Sequence, residues 1–187
     1  MNQRTSKYVA APPNQAKGFT LIEVIVVIGI IGIMSAIAIP AINSWVPNYR
    51  LKAAARDVYS AAMKAKSEAV KRNSNVAMTF NQIVDGINHV CIVYEDDNNN
   101  FSHDSGEEIV YRMENWPNQV DFDLIKGGGD GISFVNNGDG NPTITYQPNA
   151  LPSAFGGAAP NGSVFLMNSN GREMSVVINR AGSIRID

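Results

Sequence analysis

The chain divides into three stretches with different hydrophobic periods. From residue 19 to residue 39 nearly every side chain is apolar, and Glu23 is the sole ionisable group. At about 1.5 Å of rise per residue this run makes about 30 Å of helix, the thickness of a bilayer's hydrocarbon layer. The pattern predicts a membrane-spanning helix over 19–39. Gly29 and Gly32 weaken it, and Gly32 with Ala36 gives a small-xxx-small spacing that admits close helix approach. Pro40 removes a backbone donor and predicts a kink, or a place where the helix loosens.

Past Pro47 the pattern becomes amphipathic. Leu51, Ala55, Val58, Ala62, Ala65 and Ala69 recur at spacings of four and three, which traces one apolar stripe. Lys52, Arg56, Lys64, Lys66 and Lys71 mostly fall off it, on a solvated face or one that meets lipid headgroups. Because the stripe is largely alanine, whatever packs on it must come close, as a sheet does. One long helix is therefore predicted from about residue 19 to about residue 71, stopped by Asn73-Ser74-Asn75.

From Val76 onward the period is two. Val76, Met78 and Phe80 alternate with polar neighbours, and 90–95 is a denser apolar strand. Strands are also predicted at 109–113, 120–124, 132–135, 143–146, 163–167, 174–178 and 183–186. Turns are expected at Gly127-Gly128-Gly129, 136–140, Gly156-Gly157 and Asn170-Gly171. The fold class is α+β, a long N-terminal helix packed on an antiparallel β-sheet head. Four segments follow: a leader at 1–18, the span at 19–39, an amphipathic half-helix at 40–72 and a β-rich head at 73–187.

Charge sharpens this division. Residues 50–72 carry seven Lys or Arg against Asp57 and Glu68, a net of +5, whereas residues 73–187 carry five basic and fourteen acidic side chains, a net of −9. So acidic a head does not suit non-specific nucleic-acid binding through phosphates. Cys91 is the only cysteine, which excludes an internal disulfide. It lies in the run Val90-Cys91-Ile92-Val93-Tyr94 and reads as a small core residue. Residues 1–18 are polar, with Pro12-Pro13 and the basic side chains of Arg4, Lys7 and Lys17, which keep that end cytoplasmic.

Glu23 is the chemical anomaly of the span. A carboxylate at mid-bilayer costs roughly 2.5–3.5 kcal/mol on insertion scales, and less near the interface. Nothing within the run neutralises it, so a partner from another chain is expected. The stretch Gly18-Phe19-Thr20-Leu21-Ile22-Glu23 resembles the processing signature of type IV pilins and of type II secretion pseudopilins. That resemblance implies cleavage between Gly18 and Phe19 by a prepilin peptidase and N-methylation of Phe19. It also implies pairing of Glu23 with the new amino terminus of a neighbouring subunit. The implied partners are the peptidase, other pilin subunits, inner-membrane lipid and an assembly platform. The implied location is the bacterial inner membrane, single-pass, with the head in the periplasm. An ordinary signal peptide is the alternative: Ala36-Ile37-Ala38 then supplies the cut and the mature chain, an exported binding module, begins at Ile39.

The head resembles a branch of the same family. Its strand order, the acidic loop at 96–108, Ile132-Ser133-Phe134 and the ending Arg180-Ala181-Gly182-Ser183-Ile184-Arg185 look like pseudopilin H of type II secretion and the FimT-type minor pilins. DNA-binding members of the latter end in glycine-arginine-x-arginine. Here Ser183 replaces the first of those arginines, which weakens a DNA site built from Arg172, Arg180 and Arg185 for DNA uptake.

One loop offers metal chemistry. Counted from Asp96, oxygen-bearing side chains fall at positions one, three, five, nine and twelve: Asp96, Asn98, Asn100, Asp104 and Glu107. That is the calcium spacing of an EF-hand-type loop, although its sixth position, usually glycine, is Phe101 and its flanks read as strands. The other reading is a solvated acidic turn. Apart from calcium no cofactor is expected. His89 and Cys91 share a strand face but are too few for a zinc site. His103 has no evident base or metal role. No serine occupies a nucleophile elbow and no glycine motif cradles phosphate, so catalysis is not expected.

Overall fold

The computed structural model describes residues 18–187, so the polar leader with Arg4, Lys7, Lys17 and Pro12-Pro13 lies outside the described residues. The chain separates into two compact units, one ending at Ala41 and the other running from Ile42 to Asp187. Helix α1 (Leu21–Arg72) contributes to both. In the first unit every residue from 18 to 41 is exposed. Among the described residues α1 is the one helix long and apolar enough to cross a membrane. The helix runs on through Pro40, where the sequence predicts a kink or loosening, and through Pro47.

In the second unit the alanine stripe does what its spacing predicts. Leu51, Ala55, Val58, Ala62, Ala65 and Ala69 are buried without residual exposure, joined by Ala54 and Ala61. Small side chains at successive turns let the helix lie close on a sheet, where longer ones would hold it off. Asn73 follows α1 with φ of 55°, the left-handed residue that commonly ends a helix.

Nine strands follow, in two antiparallel sheets. The first has the order β3-β2-β1-β5-β6, where β1 is Val76–Val84, β2 Ile87–Glu95, β3 Ile109–Met113, β5 Thr143–Tyr146 and β6 Pro152–Ser153. The second has the order β4-β7-β8-β9, from Val120–Phe122, Gly162–Asn168, Glu173–Ile178 and Ile184–Ile186. One core unites them. Val76, Met78 and Phe80 of β1, Phe122 of β4, Val164 and Leu166 of β7 and Val176 of β8 belong to the same buried cluster as the alanine stripe. At its centre the Phe80 ring stacks on Phe134 at 6.0 Å and meets Phe122 edge-on at 6.4 Å.

Two expectations change. Residues 132–135 form no strand: Ile132 bridges Val164, the Ser133 N–H donates to the Ser163 carbonyl at 2.9 Å, and the Val135 carbonyl then accepts from the Thr143 N–H at 3.0 Å. The segment leaves the second sheet for the first within four residues, too few for a ladder on either side, and Gly131 at its start, with φ of +77°, stands where a β-carbon would be 2.7 Å from Phe122 Cβ. The polar side of β1 is also not a solvent face. Ala77 and Thr79 are fully buried, Ala77 in a second cluster with Ile92 and Tyr94. The acidic loop and the 136–141 turn cover it: Tyr94 packs edge-on against His103 at 5.1 Å, and Asn137 Nδ2 donates to the Phe101 carbonyl at 2.8 Å.

Candidate functional site: the amino-terminal turn and the acidic loop

The first turn of α1 carries the carboxylate that the sequence singles out. Phe19 is 82% exposed, Glu23 is exposed, and both line an open hollow of about 260 Å³ with Val24, Val27 and Ile28. Glu23 makes local capping contacts with Thr20. Thr20 Oγ1 accepts from the Glu23 N–H at 3.3 Å, and a long contact of 3.5 Å runs from the Thr20 N–H to Glu23 Oε2. This is a capping box, which places negative charge at the positive end of a helix. These donors are uncharged, so the expectation that nothing within the stretch neutralises Glu23 is unaltered by them. The Thr-x-x-Glu spacing is the legible signal, overshadowed in the sequence by the apolar run.

The acidic loop joins β2 to β3 and is held by its own hydrogen bonds. The Asp96 carboxylate is buried and accepts the backbone N–H groups of Asn100 at 3.1 Å and Phe101 at 3.2 Å. Asn98 and Asn100 both donate side-chain N–H groups to Asp104 Oδ2 at 2.8 Å. Glu107 accepts from the N–H groups of Asp97 at 3.1 Å and Asp104 at 2.9 Å. Phe101, at the position where an EF-hand-type loop usually has glycine, does take a positive φ of 66°. The five calcium candidates thus share one loop, but Asn98 and Asn100 spend nitrogen donors on Asp104. Among the described residues no group of three or more His, Cys, Asp or Glu is arranged to hold a metal. Desolvation pushes the Asp96 and Glu107 carboxyls up, while the Asn98 and Asn100 donors hold Asp104 down.

Arg72, which carries no motif in the sequence, fastens this loop to the helix. Its guanidinium binds Glu68 at 2.9 Å, Glu95 at 2.8 Å and both oxygens of Glu108 at 2.7 and 2.9 Å. Glu95 ends β2 and Glu108 precedes β3, so one side chain closes both feet of the loop. The three carboxyls are held below their ordinary range: Glu108 and Glu68 first by the hydrogen bond to Arg72, and Glu95 first by that to Ser74 and then Arg72.

The three arginines weighed for DNA do not meet. Arg172 lies in the β7–β8 turn, where Asn170 donates to the Ser44 carbonyl at 2.9 Å and Asn168 to Asn48 Oδ1 at 2.8 Å. The β8–β9 turn that follows Arg180 accepts Lys66 Nζ at the Gly182 carbonyl, 2.8 Å away. Asn48 and Lys66 are 18 residues apart on α1, about 27 Å of helix. Arg185, on β9, is paired with Asp187 at 3.0 Å. Gly182 has its own structural duty, at φ of +72° beside the Ala150 carbonyl. His89 and Cys91 are buried, with His89 Nδ1 within 3.0 Å of the Ile87 carbonyl.

This arrangement of an apolar helix, an alanine stripe and two antiparallel sheets meets a family match along most of the chain. The description "Type II transport protein GspH" fits residues 54–182. The chain belongs to the type II transport protein GspH family. A second description, "Prokaryotic N-terminal methylation motif", fits residues 13–39. The GspH-family chain is also 28% identical over 176 residues to "Pilin-like protein PilA1" of Thermus thermophilus, covering 91% of this chain and 98% of that protein. No solved structure matches it significantly. The GspH-family assignment makes this a minor pilin or pseudopilin with a membrane-anchoring helix and an α+β pilin-like fold. The family is structural rather than enzymatic.

Proposed function

We propose that this chain is a filament subunit cut between Gly18 and Phe19, methylated on the Phe19 amine and drawn into a pseudopilus or pilus through Glu23. The leader 1–18 is removed by a prepilin peptidase. The segment 19–39 holds the precursor in the inner membrane, with residues 73–187 on the periplasmic side. An assembly platform then moves the subunit from lipid into the filament. Its work is structural, not catalytic.

The observation that supports this most is the isolation of Glu23. It is the one ionisable side chain in an exposed apolar run and stands one turn from an exposed Phe19. A free α-amine at Phe19 of a neighbouring subunit is a compact cation that fits this place. Pairing it with Glu23 in a low-dielectric bundle removes two charges at once, although the gain depends on close geometry. The capping contact from Thr20 is long enough to yield to such a partner.

The test is Glu23→Leu in the full chain. Membrane insertion should be unchanged, since the run becomes more apolar, and incorporation into sheared filaments should be lost. Incorporation at the normal level would overturn the pairing role.

A further inference from the structure

The helix segment that opens the second unit presents a face the head leaves uncovered. Trp45, Tyr49, Lys52 and Arg56 follow one another at spacings of four, three and four, so they stack along one side of α1. Trp45 is 64% exposed and Tyr49 59%, and their rings stack at 5.6 Å with planes 27° apart. Tyr49, Lys52, Ala53, Arg56 and Asp57 line a shallow concavity of about 380 Å³ on this face. Single exposed apolar residues are ordinary, but a stacked Trp–Tyr pair followed by two cations at the next turns is a directed arrangement.

Where it occurs suggests what covers it. No aromatic residue lies between Phe19 and Trp45, and Trp45 comes six residues after the apolar run ends at Ile39. Trp and Tyr favour the membrane–water interface, where one end of the ring is apolar and the other wet, and Lys or Arg beside them meets phosphate. The charge distribution agrees. On this face Lys52 and Arg56 are exposed with Asp57 beside them, whereas residues 73–187 carry −9, so an anionic surface attracts these two cations and repels the head. The β7–β8 turn adds Arg172 at the same end of the segment, through the Asn170 contact to Ser44.

We propose that Trp45, Tyr49, Lys52 and Arg56 form an interfacial contact for an anionic phospholipid surface, which holds the unassembled subunit against the membrane. This rests on the membrane-embedded reading of 19–39. The filament-bound subunit would exchange this lipid for its neighbours.

Residues 42–187 contain every buried residue of both core clusters and so carry a complete core. That segment, mixed with phosphatidylglycerol vesicles at low salt, should float with them and should not float with phosphatidylcholine vesicles. Brominated lipid should quench Trp45 emission, and Trp45→Phe should remove the quenching. Lys52→Ala and Arg56→Ala should each weaken partitioning about fivefold. Arg180→Ala removes an equal charge at the other turn and should leave partitioning unchanged. Absence of flotation, or flotation indifferent to Lys52→Ala and Arg56→Ala, would overturn the contact. So would vesicle-independent self-association abolished by Trp45→Ala, which would assign the face to a second copy. Because filament incorporation of the full chain is read separately, a failed lipid contact is distinguishable from a failed subunit assignment.

Discussion

Truncating Phe80 tests whether the two sheets share one core. Phe80 has no exposed surface, belongs to β1 of the first sheet and touches Phe122 of the second sheet and Phe134 of the connection between β4 and β5. Phe80→Ala removes the ring and leaves a cavity between elements that cannot easily collapse, at a cost of about 3–5 kcal/mol. Two aromatic pairs vanish with it, each worth about 0.5–1.5 kcal/mol beyond area burial, which places the expectation in the upper half of that range. For a unit of this size about 4–5 kcal/mol corresponds to a fall in Tm of about 8–20 °C. Thermal melts of residues 42–187, followed by near-ultraviolet circular dichroism and separately by far-ultraviolet signal, should give one coincident transition shifted by that amount. Phe155→Ala is the control: its ring is 38% exposed and touches Phe101 alone among the aromatics, so about 1 kcal/mol or less is expected. A Tm within a few degrees of the parent, or two separated transitions in Phe80→Ala, would refute a shared core.

Two further perturbations follow from the same geometry. Glu68, Glu95 and Glu108 are held below their ordinary value of 4.5 with Arg72 among the causes, so their contribution is complete above that pH and is lost as pH falls through their lowered values. Arg72→Met should therefore be destabilising at pH 7 and should flatten the acid limb below pH 4.5 in urea titrations; an acid limb as steep as the parent's would contradict the clamp. Asp96 and Glu107 act with the opposite sign, since burial raises them, and they are common to both proteins. Burial likewise pushes the Cys91 thiol far up, so a maleimide reagent at pH 8 should label it only after denaturation. Rapid labelling of the native chain would place Cys91 outside the core.

The helical parts are legible in the sequence because their signals are local. The alanine stripe at spacings of three and four names its buried face, and Asn73 ends the helix where its left-handed backbone lies. Strands β3 and β5 match their expected bounds because each is a short, dense run between turn residues. The failures come where long-range packing decides. Thr79 looks like a solvent-facing position, yet it is buried because a loop some twenty residues later folds over it and Thr143 supplies a hydroxyl at 2.9 Å. Residues 132–135 have strand composition, but within four residues they pass from β7, bonded at Ser163, to β5, bonded at Thr143, so no ladder forms on either side. β6 is two residues long and contains proline, too brief for any period to register.

The candidate site shows the same division. The cleavage-type stretch at 18–23 is legible because its residues are consecutive. The Thr20–Glu23 contact is equally local, but the apolar run around it dominates the pattern. The role of Arg72 is not legible at all, because Glu95 and Glu108 are 23 and 36 residues away from it in the chain. The same is true of the three arginines: they look like one basic ending in the sequence, and the fold carries two of their turns to points about 27 Å apart along α1.

A filament subunit of this kind is cut at the Gly18–Phe19 peptide bond, and the amino terminus of the mature protein reports that cut. The chain extracted from membranes and read by mass spectrometry of its first peptide should begin at Phe19, one methyl group heavier than the unmodified sequence. A chain that begins at Ile39, or one that keeps residues 1–18, would contradict the account.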